Sequence, residues 1–133
     1  MVQILFTGTT NLDRTPWTPS PLICAWLLTV ALSGAAALDV THHPTIVATM
    51  ERLGMPEGFE VIAGVVKAAA ALGLITSIVA HRATDPLGAI TAWCLVAYFL
   101  MALGAHARAK DAPQESIGAG VLFALSLVLA ISL

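Results

Sequence analysis

Four apolar runs, each close to twenty residues long, divide most of this chain: 21 to 38, 59 to 80, 86 to 107 and 116 to 133. A helix needs about 20 residues to cross about 30 Å of hydrocarbon, and backbone groups in lipid must be paired within the segment. The runs therefore predict transmembrane helices rather than strands. Charge agrees, since 11% of the 133 residues are charged and 58% are hydrophobic, where soluble domains carry about 25% charge. So few charges cannot cover a water-facing surface. The fold expected is all-α, an integral membrane four-helix bundle. The net charge of −2 and the lack of a basic patch argue against nucleic acid as a partner, which leaves membrane lipid and other membrane proteins.

The flanking segments differ in kind. Residues 1–20 contain Asp13 and Arg14 after the first short apolar run, the reverse of a signal peptide. They read as an irregular arm, with Trp17 at headgroup level, leading into one domain over 21–133. The second and third segments are joined by "HRATD", the third and fourth by "RAKDAPQE". The first and second are joined by the longer "DVTHHPTIVATMERLGMPEG". In it Thr41 or His43 can cap a helix that has Pro44 at its first position. Ile46, Val47, Met50 and Leu53 then share one face, and Gly54 and Pro56 stop the helix. A short amphipathic helix over 44–53 is expected, lying at the interface or folded over the mouth of the bundle.

Orientation is left open. Arg14 and Arg82 fall on one side and Arg52, Arg108 and Lys110 on the other, too small a difference for the positive-inside rule. A faint echo between "SGAAALDVTHHP" and "LGAHARAKDAP" is compatible with two related hairpins. Small residues supply close packing between helices in lipid: Ser33, Gly34 and Ala37, then Gly64, Ala68 and Ala71, then Ala97, Ala102 and Ala105, then Gly118 and Gly120. Thr29, Ser33, Thr91, Tyr98 and Ser126 are the polar groups available to bond across the interior. Cys24 and Cys94 form no CxxC pair and sit in apolar runs, which counts against thiol redox chemistry.

One charge stands out. Lys67 lies eight residues into the second segment, about 12 Å from its nearer end. Snorkelling does not plainly bring it to water, so it should face protein and have a partner. Glu60 precedes it on the same face, and Tyr98 lies mid-way along the third segment. Asp39 and His106 end the first and third segments on the side where Glu60 begins the second. Asp39, His42, Glu57, Glu60 and His106 can thus gather at one mouth with Lys67 beneath. Four roles are open to this group: an ion-pair network orienting the helices, a ligand or quinone pocket, acid–base catalysis by Lys67, Glu60 or His106, and docking of a partner's acidic residue. The ligand-binding candidates are Lys67, Glu60, Tyr98, Asp39 and His106. No metal site is expected, because His42, His43, His81 and His106 all fall at helix ends or connections, not facing one another inside the bundle.

The stretch "LGMPEGFEVIAGVVKAAAALGLI" followed by "WCLVAYFLMALGAHARAKDAP" resembles the DoxX-like family of small bacterial membrane proteins. Gly54, Pro56, Gly64, Lys67 and His106 occupy the places of that family's turn, its Gly-x-x-Lys helix and its histidine before a polar turn. Met55 stands where an aromatic is usual. The resemblance covers about 45–115 and implies a four-helix bundle in a bacterial inner membrane. It also implies a link to redox assemblies and quinol oxidation, with Lys67 and His106 as family positions rather than proven catalytic residues. Two functions are carried forward. The first is an accessory or assembly subunit of a larger, redox- or quinone-linked membrane complex, with other membrane protein subunits or a homo-oligomer as partners. The second is a small membrane enzyme or binder for a quinone, isoprenoid or lipid, with its pocket around Lys67. No cofactor other than a quinone is indicated.

Overall fold

A computed structural model of the chain describes residues 19–80 and 86–133. The expectations for the N-terminal arm before Pro19, for Trp17 and for the "HRATD" turn with His81 and Arg82 lie outside the described residues. Five helices follow in order: α1 (Pro19–Val40), α2 (Pro44–Arg52), α3 (Phe59–Val79), α4 (Pro86–Arg108) and α5 (Pro113–Ser132). Among the described residues there is no strand. The chain is all-helical, and α1, α3, α4 and α5 are each long and apolar enough to cross a membrane.

Proline and left-handed residues punctuate these helices. Four of the five begin on proline, whose missing N–H costs nothing in the first turn and whose φ is already helical. The spans α1 and α5 therefore start two and three residues earlier than the apolar runs suggest. At the other end, α1, α2 and α4 close the same way. His42, Gly54 and Lys110 take positive φ, and the next amide reaches back five residues: His43 N–H to Leu38 O, Met55 N–H to Met50 O, Asp111 N–H to His106 O. This cap satisfies carbonyls that the helix leaves unpaired. His43, with φ −56 and ψ 132, is the N-cap of α2, its ring accepting from the Thr45 amide.

The spans form a ring in which each helix touches its sequence neighbour and α5 closes back on α1. Contact is extensive between α1 and α3 and between α4 and α5, and sparser along the other two sides. The core runs through all four: Ala25, Leu28 and Leu32; Ala71, Leu74 and Ile78; Ala92, Leu95 and Phe99; Leu129 and Ala130. Three helices repeat one spacing, three residues and then four, which places a single stripe inward. The outward stripe is equally apolar, with Val30, Val65, Leu100 and Val121 exposed, as expected where the solvent is lipid.

Two expectations about packing change. Thr29, Ser33 and Ser126 do not bond across helices. Their hydroxyls donate to carbonyls four residues back, at Ala25, Thr29 and Leu122. In an environment without water a hydroxyl takes the nearest free acceptor lone pair, which is on its own helix. Gly118 and Gly120 meet nothing within 4 Å, because they lie near the start of α5 on surface the bundle leaves uncovered. Gly64 does pack as expected. A Cβ there would lie 2.8 Å from Val40 Cγ2 and 2.9 Å from Asp39 Cβ, so glycine is what lets α3 lie against the end of α1.

Candidate functional site

That close approach decides the partner of Lys67. With α1 and α3 in contact at Gly64, one turn before the lysine, Lys67 Nζ donates to Asp39 Oδ2 at 2.6 Å. The two side chains are 12% and 0% exposed. The second oxygen, Asp39 Oδ1, is buried and has no hydrogen-bond partner. Glu60, on the same face of α3, is not the lysine's partner. It accepts instead from His42 Nδ1 at 2.8 Å, because the left-handed turn at His42 carries that ring back over the start of α3. Tyr98 makes no hydrogen bond to Lys67. It stands edge-on to Phe99.

His106 joins a different group. Its Nδ1 lies 2.6 Å from Asp111 Oδ2. Asp111 as a carboxylate only accepts, so this geometry puts the proton on Nδ1. Arg52, at the end of α2, donates to both oxygens of Asp111, Nε to Oδ1 at 2.8 Å and Nη2 to Oδ2 at 3.3 Å. It also reaches Glu115 at 3.2 Å. Asp111 is 3% exposed, enclosed by these partners in the turn between α4 and α5. The Arg52 bond first, and the His106 bond after it, hold its carboxyl below the usual carboxylate range. In return, Asp111 raises the Arg52 pKa against the opposing effect of burial. The mouth cluster expected from the sequence thus divides into three: Asp39 with Lys67, His42 with Glu60, and His106 with Asp111, Arg52 and Glu115. Glu57 joins none of the three and lines the vestibule instead.

The space around these groups is continuous in its lining. A vestibule of about 430 Å³ at the mouth is walled by His42, Glu57 and Glu60 together with Met50 and Met55. The same two methionines line a second pocket of about 220 Å³, enclosed by Leu53, Phe59, Tyr98, Met101 and the small residues Ala102 and Ala105. Tyr98 in turn lines a cleft of about 290 Å³ between α3 and α4, beside Val66, Ala70 and Cys94. The slack α3–α4 side of the ring is where this space lies. At its far end the two helices close up, since a Cβ on Gly73 would meet Thr91 and one on Gly88 would meet Ser77. The helix α2 roofs the space, tied at its start by His42 to Glu60 and at its end by Arg52 to Asp111.

Sequence reasoning missed two parts of this site. One is the Arg52 clamp, signalled only by an arginine ending the amphipathic helix and an aspartate in a turn on the same membrane side. The other is the methionine lining. The chain has four methionines, and the three beyond the first residue, Met50, Met55 and Met101, all line the pocket under α2. Methionine is unbranched and polarizable, and is favoured where an apolar surface adapts to variable occupants. Among the described residues no three histidine, cysteine, aspartate or glutamate side chains come together as metal ligands.

No curated protein and no solved structure matches the chain. A sequence model of the DoxX-like family does, over residues 23–130. That span takes in most of α1 and α5, all of α3 and α4, the roof helix α2 and every member of the three polar groups. This multi-pass membrane protein belongs to the DoxX-like family.

Proposed function

We propose that the chain binds a small lipophilic molecule along the α3–α4 seam, with the molecule's polar end at Tyr98. The observation that carries this is the pocket under α2. It is lined by Met50, Met55, Met101, Leu53 and Phe59, with Tyr98 as the polar side chain on its wall. Ligand sites are mostly apolar concavities with a few convergent polar groups, and this one has that character. At about 220 Å³ the space suits an isoprenoid or acyl tail rather than a bulky body. A quinone, an isoprenoid or a lipid fits the description. Glu60, held by His42, faces the vestibule rather than the pair and serves entry there. His106 acts through Asp111 on the roof and not on the ligand.

Membership of a larger membrane complex, in a bacterial inner membrane, is the second reading. It is favoured by the uneven covering of the helices: α1 and α3 bury 33% of their spans, but α4 and α5 only 22% and 17%. Ile117, Gly118, Val121 and Val128 on α5 offer room for a helix of another subunit.

Native mass spectrometry of the protein, extracted from its own host in mild detergent, separates the two. The binding reading predicts one bound lipophile per chain. Ala102→Trp, which fills the pocket under α2, removes that mass while helicity is kept. Added protein subunits with no small mass, unaffected by Ala102→Trp, would favour the second reading instead.

A further inference from the structure

Both ends of α2 return to the same side of the bundle. The link 41–43 joins it to α1 and the link 53–58 joins it to α3, and those two spans pack together. The backbone of α2 approaches α1 and α3 but neither α4 nor α5. The pocket of about 220 Å³ fills that gap, with Met50 on α2 facing Tyr98, Met101 and Ala102 on α4. None of the nine residues of α2 is buried, and a helix so short is not stable alone. What holds it across the gap is polar. Among the described residues, its hydrogen bonds to the α4–α5 side all come from Arg52, which donates to Asp111 in the turn and Glu115 in the first turn of α5. The bond between His42 and Glu60 lies on the other side, where α1 ends and α3 begins. In the link to α3, Gly54 and Gly58 take φ of 74 and 81, a region that glycine enters at no steric cost.

We infer that α2 is a lid over the pocket, hinged at its links to α1 and α3 and latched to the α4–α5 turn by Arg52. A permanent roof would bury apolar side chains against both walls, and α2 buries none. An element with so little buried surface belongs to the low-stability end of a fold, from which lids are drawn. The two halves of the latch differ as a moving part and its catch should. Arg52 is 39% exposed, so water replaces its bonds as they part. Asp111 is 3% exposed and held by His106, so it stays in place when the arginine leaves. The bond between His42 and Glu60 sits at the hinge and does not have to break. The inference rests on the proposed binding along the α3–α4 seam and concerns how that same site is entered.

The test uses the whole chain, with Cys24 and Cys94 replaced by alanine, in phosphatidylcholine nanodiscs. Spin labels go on two exposed positions, through Ala48→Cys on α2 and Ala107→Cys at the end of α4. Double electron–electron resonance reads their separation. The labelled parent should give one short distance. Arg52→Ala should add a longer one, and Arg52→Lys, which keeps the charge without the forked grip, should fall between. Tritiated farnesol then reports exchange. In Arg52→Ala its uptake and release should both speed by about fivefold, the upper end for a half-exposed ion pair. The Kd should not change, because losing the latch favours opening equally in the empty and the filled protein. A distance that stays the same in both Arg52→Ala and Asp111→Asn makes α2 a fixed roof and overturns the inference, while the pocket stands. Faster release with unchanged uptake, and so a weaker Kd, makes Arg52 part of the wall and overturns it too. A lid that opens with no saturable farnesol binding overturns the lipophile reading alone.

Discussion

Lys67 meets Asp39 at 2.6 Å inside the bundle, and Arg52 meets Asp111 at 2.8 Å at its mouth. The distances are alike, but the surroundings are not. The inner pair is a single contact between side chains 12% and 0% exposed, on helices that cross the membrane. The outer group is a network of four side chains in which Arg52 is 39% and Glu115 51% exposed. Desolvating two charges is expensive, and their attraction offsets that only with good geometry and full hydrogen bonding. The outer group comes near that condition, since Asp111 accepts from both Arg52 and His106. The inner pair falls short of it, with Asp39 Oδ1 left over. A contact that were only structural would be better replaced by apolar residues of the same shape. The inner pair is thus an incompletely bonded contact inside the bundle, and the saturated group at the mouth is a fastening.

The largest effect should come from breaking the inner pair on one side. Lys67→Met leaves a buried carboxylate without a counter-charge, and about 3–5 kcal/mol of stability should be lost. Thermal unfolding followed by helicity measures this. Lys67→Met combined with Asp39→Leu should recover most of it. If the double variant stays as unstable as the single one, the pair is structural and the contrast drawn above fails.

A smaller loss is expected where α1 and α3 meet. Gly64→Val puts side-chain atoms where Val40 and Asp39 already are, and overpacking of this kind costs about 1–3 kcal/mol. Gly34→Ala, with nothing within 4 Å, is the control and should be nearly silent.

The smallest effect belongs to the outer group, and pH and salt reveal it. Asp111 titrates lower in the folded protein than in the unfolded chain. Its stabilising contribution is therefore fully present above the ordinary carboxylate range and disappears as pH falls through the lowered value. Arg52→Ala should flatten that acid limb of the stability curve. It should also make stability less sensitive to added salt and speed exchange of any bound lipophile by loosening α2. An acid limb that is unchanged in Arg52→Ala would mean that other carboxylates set it.

The architecture was legible from the chain because lipid imposes one rule on every span. Segment length and apolarity named the four crossing helices, and Pro44, Gly54 and Pro56 marked the roof helix. The side of the membrane was legible too, so Asp39, Glu60 and His106 were placed together at one mouth. Which of them meets Lys67 was not legible, because both the inward and outward faces of a span are apolar and hydropathy does not reveal its rotation. The contact at Gly64 settles that rotation in favour of Asp39. Two left-handed caps were hidden for a related reason. Glycine is the usual sign of such a cap, but His42 and Lys110 fill these positions, and they send His42 to Glu60 and Asp111 to His106. The methionine pocket needed three distant positions to be seen as neighbours, which only the placement of α2 over α3, facing α4 across the pocket, supplies.

The central claim is that the space under α2 is a lipophile site. The most direct measurement is a methyl NMR titration of the chain, labelled at its methionines with carbon-13, with farnesol in phosphatidylcholine nanodiscs. The sequence has four such methyl groups. Met50, Met55 and Met101 should shift together and saturate at one equivalent. If those three signals stay in place while farnesol partitions into the bilayer, the pocket is packing space and the account is wrong.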